Sequence, residues 1–226
     1  MGMTDRLIGS GRTADVFALD DTWVLRRYRD GTDATDEAAV MTYLSEQGYP
    51  VPPIRRAEPG APRTDLVMGR LTGPTMAEAA MRGAITPEEA AVILARLLHT
   101  LHALPARTSA SPADRVLHLD LHPENVILTP EGPVVIDWST TEEGPPGLDW
   151  AMSTLILAEV AVSGRPEAAG SRAALAALLT DAAVDVSATA DSHLAEARAR
   201  RAANPTLGAD EVRWLDAAVE LVRESS

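Results

Sequence analysis

The sequence predicts an α+β fold, in which a β-rich N-terminal lobe is followed by a mostly helical C-terminal lobe. β-branched and aromatic residues with partial alternation concentrate in the first seventy residues, where Gly and Pro mark the turns. From Thr75 onward, apolar residues recur at the spacing of amphipathic helices instead. There is neither an internal repeat nor a low-complexity linker. We therefore expect two lobes joined by a short link, with a ligand cleft between them.

The N-terminal lobe is expected to span residues 1–69. Asp20 and Asp21 are a turn signal between two strand-like runs, which indicates a hairpin. A helix over residues 34–47 is expected to end at Gly48, since glycine readily takes the left-handed backbone of a helix C-terminus. Strands are predicted at residues 8–19, 22–28, 54–57 and 66–68.

The link is placed at residues 70–74 and the C-terminal lobe at residues 75–226. Thr86 and Glu89 form a capping box with Pro87 at the first helical position, and an apolar leucine stripe follows. A short β segment is expected next, with strands at residues 125–128 and 134–136. Further helices are predicted at residues 149–162, 166–184, 188–202 and 209–224.

Composition excludes several classes of protein. The chain has 226 residues, no cysteine and a net charge of −13, and all of its 20 basic residues are arginine. The acidic charge disfavours a nucleic-acid partner, and the absence of cysteine excludes disulfides and thiolate metal sites. The N-terminus has no apolar core of a secretory signal, and no apolar run is long enough to span a bilayer. We expect a cytoplasmic protein, monomeric or homodimeric, that contacts neither nucleic acid nor membrane.

Asp120, Asn125 and Asp137 form the strongest chemical pattern. Asp120 and Asn125 share one loop, and Asp137 ends the apolar strand 134–136 after a tight hairpin. This arrangement can bring two carboxylates and an amide oxygen to one cleft. Mg²⁺ prefers such hard oxygen ligands, and phosphoryl transfer needs a further carboxylate beside the acceptor hydroxyl. The pattern therefore fits a magnesium site for phosphoryl transfer, and a hydrolytic metal site stays open as the alternative.

The stretch His118-Leu119-Asp120-Leu121-His122-Pro123-Glu124-Asn125, followed by Val135-Ile136-Asp137-Trp138, resembles the catalytic and metal loops of protein-kinase-like enzymes. The sequence of this motif is most similar to the aminoglycoside phosphotransferase and choline kinase group. The resemblance implies a two-lobed protein-kinase-like fold and the use of ATP (or GTP) with Mg²⁺. It also implies that Asp120 is the catalytic base, that Asn125 and Asp137 bind Mg²⁺, and that His118 is a structural support for the loop.

Two features of the N-terminal lobe fit a nucleotide site. The turn Gly9-Ser10-Gly11 lets backbone N–H groups approach phosphates, although Ala14 stands where a kinase loop usually has a third glycine. Kinases pair a strand lysine with a helix glutamate, and this chain has no lysine, so Arg26 is expected to bind phosphate and to pair with Glu37. Arg27 is a competing partner, and two exposed surface charges are the simpler alternative.

Four further expectations concern the link and the acceptor side. The backbone of Met68, Gly69 and Leu71 is expected to bind the adenine. Asp149 matches an aspartate typical of the resembled group, and its structural interpretation is a helix N-cap. Glu142 and Glu143 are candidates to receive a cationic substrate, with an exposed acidic loop as the alternative. Residues 138–148 are too few for a long activation loop, which favours a small hydroxylated acceptor over a peptide.

The predicted function is transfer of the γ-phosphoryl group of ATP (or GTP) to a hydroxyl of an aminoglycoside-like or other small metabolite. Two alternatives stay open. One is a kinase-like protein that binds nucleotide without transferring phosphate. The absence of a lysine and the absence of a third glycine in the turn both favour this alternative. The other is a metal-dependent hydrolase, because His118, Asp120 and His122 alternate and would share one face of a strand.

Overall fold

The N-terminal part of this computed structural model, which describes residues 6–56, 58–180 and 191–225, is an antiparallel sheet packed on one helix. Its strands follow the order β1-β2-β3-β5-β4. Their bounds are Arg6–Ser10 (β1), Ala14–Ala18 (β2), Trp23–Tyr28 (β3), Ile54–Arg55 (β4) and Asp65–Gly69 (β5). The predicted strand 8–19 is therefore two strands, because the chain reverses at the glycine turn. The end of predicted strand 54–57 at Ala57 lies outside the described residues.

Helix α1, Thr35–Glu46, lies where the sequence predicts it. Its buried face carries Val40, Met41 and Leu44 together with one charged residue, Glu37. Gly48 follows with φ 76°, a left-handed conformation that a glycine adopts without strain. The charged residue on the buried face needs a partner in the neighbouring sheet, and that partner is part of the site described below.

The link between the two parts passes tightly against the C-terminal part. Gly73 has φ 146°, and a Cβ atom there would lie 2.1 Å from the carbonyl oxygen of Leu128. The Leu128 N–H donates to the carbonyl of Pro74 at 2.9 Å, and Thr75 forms a β-bridge with Ile127. Only glycine fits at position 73, so the backbone fixes where the chain crosses from one part to the other.

Two helices and two small antiparallel sheets follow the link. Helix α2 spans Met76–Met81, and α3 spans Pro87–His102 behind the predicted capping box at Thr86. Strands β6 (Arg115–Leu117) and β9 (Glu142–Gly144) pair with each other, as do β7 (Val126–Thr129) and β8 (Gly132–Val135). The two sheets support the two loops that carry Asp120 and Asp137.

Helix α4, Pro146–Val162, is the central helix of the C-terminal part. It is buried on nearly every side and packs against α5 (Ala168–Thr180), α6 (Asp191–Ala203) and α7 (Ala209–Ser225). Predicted residues 181–184 and 188–190 of the neighbouring helices lie outside the described residues. No helix in the described ranges has the length and apolarity to cross a membrane.

The order of elements confirms the predicted α+β class, since five strands and α1 precede the link and six helices follow it in the described chain. The limits of the two lobes stay a prediction. The ion pair between Arg26 and Asp137, described next, joins the sheet to the loops that carry Asp120 and Asp137.

Candidate active site

The loop formed by residues 118–125 holds Asp120 and Asn125 against each other. It leaves β6 and ends in a short 3-10 helix, Pro123–Asn125. The Asn125 Nδ2 donates to the Asp120 carbonyl at 2.8 Å and to its Oδ2 at 3.1 Å. The amide oxygen of Asn125 is thereby directed away from the carboxylate. Burial opposes ionisation of Asp120, but the neighbouring His122 and Arg201 hold its pKa below the usual range.

Asp137 lies beside Asn125 because β7 and β8 form a hairpin. The Ile136 N–H donates to the Asn125 carbonyl at 3.0 Å, and the next residue is Asp137. Asp137 has φ 63°, a left-handed conformation that is uncommon outside glycine and is often found at functional sites. The hairpin thus brings an amide oxygen and a carboxylate to neighbouring positions. This donor set fits Mg²⁺, which usually takes one or two protein oxygens and completes its shell with water and phosphate.

Arg26 joins Asp137 to the N-terminal sheet. Its Nη1 donates to Glu37 Oε1 at 2.8 Å and its Nη2 donates to Asp137 Oδ1 at 2.7 Å. The predicted pairing of Arg26 with Glu37 is therefore confirmed, whereas Arg27 pairs with Asp65. Burial disfavours the charge on Arg26, but the carboxylates of Asp137 and Glu37 keep its pKa raised. The result is a buried cation, 7% exposed, at the edge of the cleft.

Tyr28 completes this charge network from the end of β3. Its hydroxyl donates to Glu37 Oε2 at 2.5 Å, so both oxygens of the buried carboxylate have partners. Burial raises the pKa of Glu37, and the attraction of Arg26 only partly offsets this. Burial and the Glu37 charge also raise the pKa of Tyr28, which keeps the phenol a donor. Tyr28 was missed by the sequence reasoning, although its position two residues after Arg26 puts both on one face.

His118 supports the loop with both ring nitrogens. Its Nδ1 accepts from the Asp120 N–H at 3.2 Å, its Nε2 donates to the Ile136 carbonyl at 3.0 Å, and its ring packs on Trp138 with centroids 4.6 Å apart. The residue is fully buried. A ring with both nitrogens engaged cannot ligate a metal, which counts against the hydrolase alternative. In the described ranges, no group of three histidine or acidic residues is placed to hold a metal ion.

Asp149 supports the same loop from α4, and the N-cap interpretation is wrong. The helix begins three residues earlier at Pro146, so Asp149 lies inside its first turn. Its carboxylate accepts from the His118 and Leu119 N–H groups at 2.9 and 2.7 Å, and His102 Nε2 lies 3.0 Å away. Burial opposes its ionisation, but hydrogen bonding and charge from His102 keep the pKa of Asp149 lowered. These contacts hold Leu119 at its strained φ of 62°.

The glycine turn connects β1 and β2. Gly9 lies at an irregularity of the pairing opposite Val16, and the Gly11 N–H donates to the Ala14 carbonyl at 2.9 Å. Ser10 is not free, since its hydroxyl donates to Asp15 Oδ1 at 2.7 Å. The turn therefore offers backbone groups, rather than the serine hydroxyl, to a ligand.

One face of the sheet continues the site away from Arg26. Arg26 points toward the C-terminal part, and alternation places Val24 on the same face. The strand register adds the neighbours Val16, Ala18 and Met68 to this face. These small and medium apolar side chains form a surface suited to a planar aromatic ring, and the sequence reasoning named only Met68 among them.

The link backbone is mostly engaged within the sheet. The Gly69 N–H donates to the Pro53 carbonyl at 2.8 Å, and the Arg70 N–H donates to the Thr22 carbonyl at 2.7 Å. Within the described chain, the Leu71 N–H has no such acceptor. Of the predicted adenine contacts, Gly69 therefore keeps only its carbonyl available, while Leu71 keeps its N–H.

Comparison with known proteins identifies the family. The profile of the Phosphotransferase enzyme family (APH) matches residues 4–115 and 104–185. The chain belongs to this phosphotransferase family. No curated protein matches the sequence.

Several solved structures share the fold at low sequence identity. APH(4)-Ia, as a thermostable mutant, has a TM-score of 0.65 at 13% identity, covering 99% of this chain and 95% of its own. The gentamicin complex of APH(2")-IIa has a TM-score of 0.60 at 14% identity, covering 98% and 91%. Amicoumacin kinase hAmiN, bound to AMP-PNP, Ca²⁺ and amicoumacin, has a TM-score of 0.57 at 13% identity, covering 97% and 88%. These likenesses confirm the predicted protein-kinase-like fold.

Arg201, on α6, lies beside Asp120, a neighbour that the sequence reasoning missed. Its Nε and Nη2 donate to the two oxygens of Glu159 at 2.9 and 2.8 Å, and its Nη1 lies 3.6 Å from Asp120 Oδ1. Both partners of the bidentate pair are buried, with side chains 11% and 5% exposed. Glu159 was the sequence signal for a buried ion pair, because a charged residue inside the apolar run of α4 needs a partner of opposite charge.

The two acidic residues expected to receive a cationic substrate have partners within the chain. The Glu143 carboxylate accepts from the N–H groups of Arg107, Thr108 and Ser109 at 2.6 to 3.1 Å, which holds that loop. Glu142 accepts from Arg200 at 2.8 Å. Their predicted role in acceptor binding therefore has no support in the geometry, and we assign Glu143 to loop stabilisation.

Proposed function

We propose that this phosphotransferase transfers the γ-phosphoryl group of ATP or GTP to a hydroxyl of a small acceptor, with Mg²⁺. The observation that carries the proposal is the meeting of three oxygen-bearing residues with a cation of the other lobe. Asp120 contacts Asn125, Asn125 adjoins Asp137 through the hairpin, and Arg26 reaches Asp137 at 2.7 Å. This set supplies a base, a metal-binding pair and a phosphate-binding cation within one cleft.

Asp120 is the proposed catalytic base. Its lowered pKa keeps the carboxylate ionised at neutral pH, and the Asn125 contact fixes one of its oxygens. The carboxylate accepts the acceptor hydroxyl proton while the hydroxyl oxygen bonds to the γ-phosphorus and the bond from that phosphorus to the leaving nucleoside diphosphate breaks. Its ionised form orients the acceptor before transfer.

The donor side is proposed to use residues of both lobes. Asn125 and Asp137 would hold the Mg²⁺, which neutralises charge on the donor phosphates when bound. Arg26, fixed by Glu37, would bind the α- and β-phosphates with the guanidinium N–H groups that Glu37 does not occupy.

The remaining donor contacts come from backbone and apolar surface. The turn that begins at Gly9-Ser10-Gly11 would cover the phosphates with backbone N–H groups other than that of Gly11, which donates to the Ala14 carbonyl. The purine base of the nucleotide would lie on the apolar face that includes Val24 and Met68, with hydrogen bonds to the Gly69 carbonyl and the Leu71 N–H. The missing lysine does not remove the phosphate-binding cation, because Arg26 has the required partners.

The acceptor is proposed to be a small hydroxylated molecule. Among the proteins that share the fold, APH(2")-IIa binds gentamicin and streptomycin, and hAmiN binds amicoumacin. Amine-bearing antibiotics of this kind are thus the first compounds to test. We do not include Glu142 or Glu143 in the acceptor site.

The proposal is tested with the isosteric variant Asp120→Asn. Removal of the base is expected to lower kcat by about 10²- to 10⁴-fold while the affinity for ATP stays that of the wild type. Transfer from γ-labelled ATP to gentamicin, streptomycin and amicoumacin gives kcat, and calorimetry gives ATP affinity. Asp216→Asn, an exposed aspartate on α7, is the matched control and is expected to leave both unchanged. Wild-type turnover by Asp120→Asn would contradict the assignment, and ATP binding without transfer to any acceptor by the wild type would favour a nucleotide-binding protein.

A further inference from the structure

Arg29, the residue after β3, binds the backbone carbonyls and flanking side chains of the glycine turn. Its Nη2 donates to the carbonyl oxygens of Gly11 and Arg12, both at 2.7 Å. Its Nη1 donates to Ser10 Oγ at 3.1 Å and to Asp15 Oδ1, and its own N–H donates to the Thr13 carbonyl at 3.0 Å. One side chain therefore contacts four residues in and beside the turn, Ser10, Gly11, Arg12 and Asp15, where glycine would otherwise leave the backbone free to change conformation.

The contacts lie on the sheet face opposite Arg26. Arg26 faces the cleft, since it reaches Asp137, and alternation along the chain puts residues of odd number in β3 on the outer face. Asp15, which pairs with Arg29, lies directly opposite Arg27 in the register and so belongs to the outer face as well. Arg29 thus holds the turn from the side away from the catalytic loops.

The consequence follows from peptide geometry. In a trans peptide the C=O and the following N–H point in opposite directions, and the described chain contains no cis bond. The carbonyls of Gly11 and Arg12 point outward to the guanidinium. The N–H groups of Arg12 and Thr13, which belong to the same two peptides, therefore point inward to the cleft.

We propose that Arg29 is a positioning residue that orients the Arg12 and Thr13 N–H groups toward the donor phosphates. This rests on the proposed function, since it assumes a nucleotide in the cleft. Asp15 anchors the guanidinium, and a hydrogen bond from Ser10 together with the Arg29 charge holds the pKa of Asp15 below its usual range. The engaged Ser10 hydroxyl has the same explanation, because it belongs to this anchor and not to the ligand side. A positioned pair of N–H donors binds an anion with less ordering of the loop than a free glycine turn.

The test compares ATP with adenosine, which shares the base and the sugar but lacks phosphates. Arg29→Ala is expected to weaken binding of ATP with Mg²⁺ by about tenfold, equal to about 1.4 kcal/mol, while the affinity for adenosine stays the same. Arg29→Lys keeps the charge but cannot reach both carbonyls and Asp15 together, so a loss of intermediate size is expected. Calorimetry measures ATP binding, and competition measures adenosine. Arg63→Ala removes an exposed arginine of the same lobe, paired with Asp33, and is the matched control.

The outcomes distinguish failure of the Arg29 positioning role from failure of the proposed function. Selective loss of ATP affinity in both Arg29 variants supports the positioning role. Equal loss for ATP and adenosine, or no loss, overturns it while leaving the proposed function intact if the wild type binds ATP. If the wild type binds neither ATP nor GTP, the proposed function fails and this role fails with it. A variant that unfolds is recognised by its melting temperature, and the lysine variant then provides the decision.

Discussion

Replacing Arg201 with Gln should destabilise the protein strongly, because it leaves the Glu159 carboxylate buried without its partner. The two side chains are joined by two hydrogen bonds of 2.9 and 2.8 Å and are shielded from water. Breaking a buried pair by removing one partner costs about 3–5 kcal/mol. For a chain of this size, about 2–4 °C of melting temperature is lost per kcal/mol, so a decrease of about 10 °C is expected.

The effect should depend on pH in one direction. Burial already raises the pKa of Glu159 above 4.5, and loss of Arg201 raises it further. A raised pKa in the folded state means that the protonated carboxyl is favoured there, so the penalty is full above the folded pKa and fades as pH falls through it toward 4.5. Differential scanning calorimetry at pH 8 and near pH 5 measures this difference.

Arg198→Gln is the matched control for this prediction, since Arg198 lies on the same helix and pairs with the exposed Asp216. It should change stability by less than about 1 kcal/mol. The double change Arg201→Gln with Glu159→Gln should recover much of the loss, because no uncompensated charge stays buried. A melting temperature of Arg201→Gln equal to that of the wild type at pH 8 would refute the reasoning.

Two further predictions concern the supports of the site. Asp149→Asn keeps the size but loses the charge that accepts from two loop N–H groups, so stability should fall by about 2–4 kcal/mol and transfer should fall with it; an unchanged denaturation midpoint would contradict this. Gly73→Ala forces a methyl group onto the Leu128 carbonyl and should cost more than about 3 kcal/mol, whereas Gly60→Ala, with open space and φ 85°, should cost about 1 kcal/mol. Urea unfolding of the two glycine variants measures the difference, and equal losses would show that the close approach at Gly73 has no energetic weight.

Much of the fold was predictable because its signals are local. The capping box at Thr86, the leucine stripe of α3 and the turn before β8 each lie within a few residues, and the structure contains all three elements. The elements that the sequence did not predict are short or depend on pairing between distant residues. Strands β6 and β9 have three residues each and pair across 24 intervening residues or more, which leaves no periodic pattern to read. Pro146 was a usable signal for the true start of α4, since proline is favoured at the first helical position.

The site residues show the same difference between local signals, which can be read from the sequence, and contacts between distant residues, which cannot. Asp120, Asn125 and Asp137 were recognisable because their spacing lies within one loop and one hairpin, and Arg26 with Glu37 because a buried charge needs a partner. Arg201 could not be assigned, because its partner Glu159 lies 42 positions away and the sequence offers many arginines. The same physical limit explains Glu142 and Glu143, whose acidity was visible while their partners, in helix α6 and in the loop at residues 107–109, were not.

The central claim is phosphoryl transfer at the Asp120 loop, and ³¹P NMR of the wild-type protein with ATP, Mg²⁺ and a hydroxylated acceptor tests it most directly. The account predicts a new phosphomonoester resonance that grows as the γ-phosphate signal of ATP declines, and that grows at least about 100-fold more slowly with Asp120→Asn. Equal growth of the phosphomonoester signal with Asp120→Asn and with the wild-type protein would contradict it.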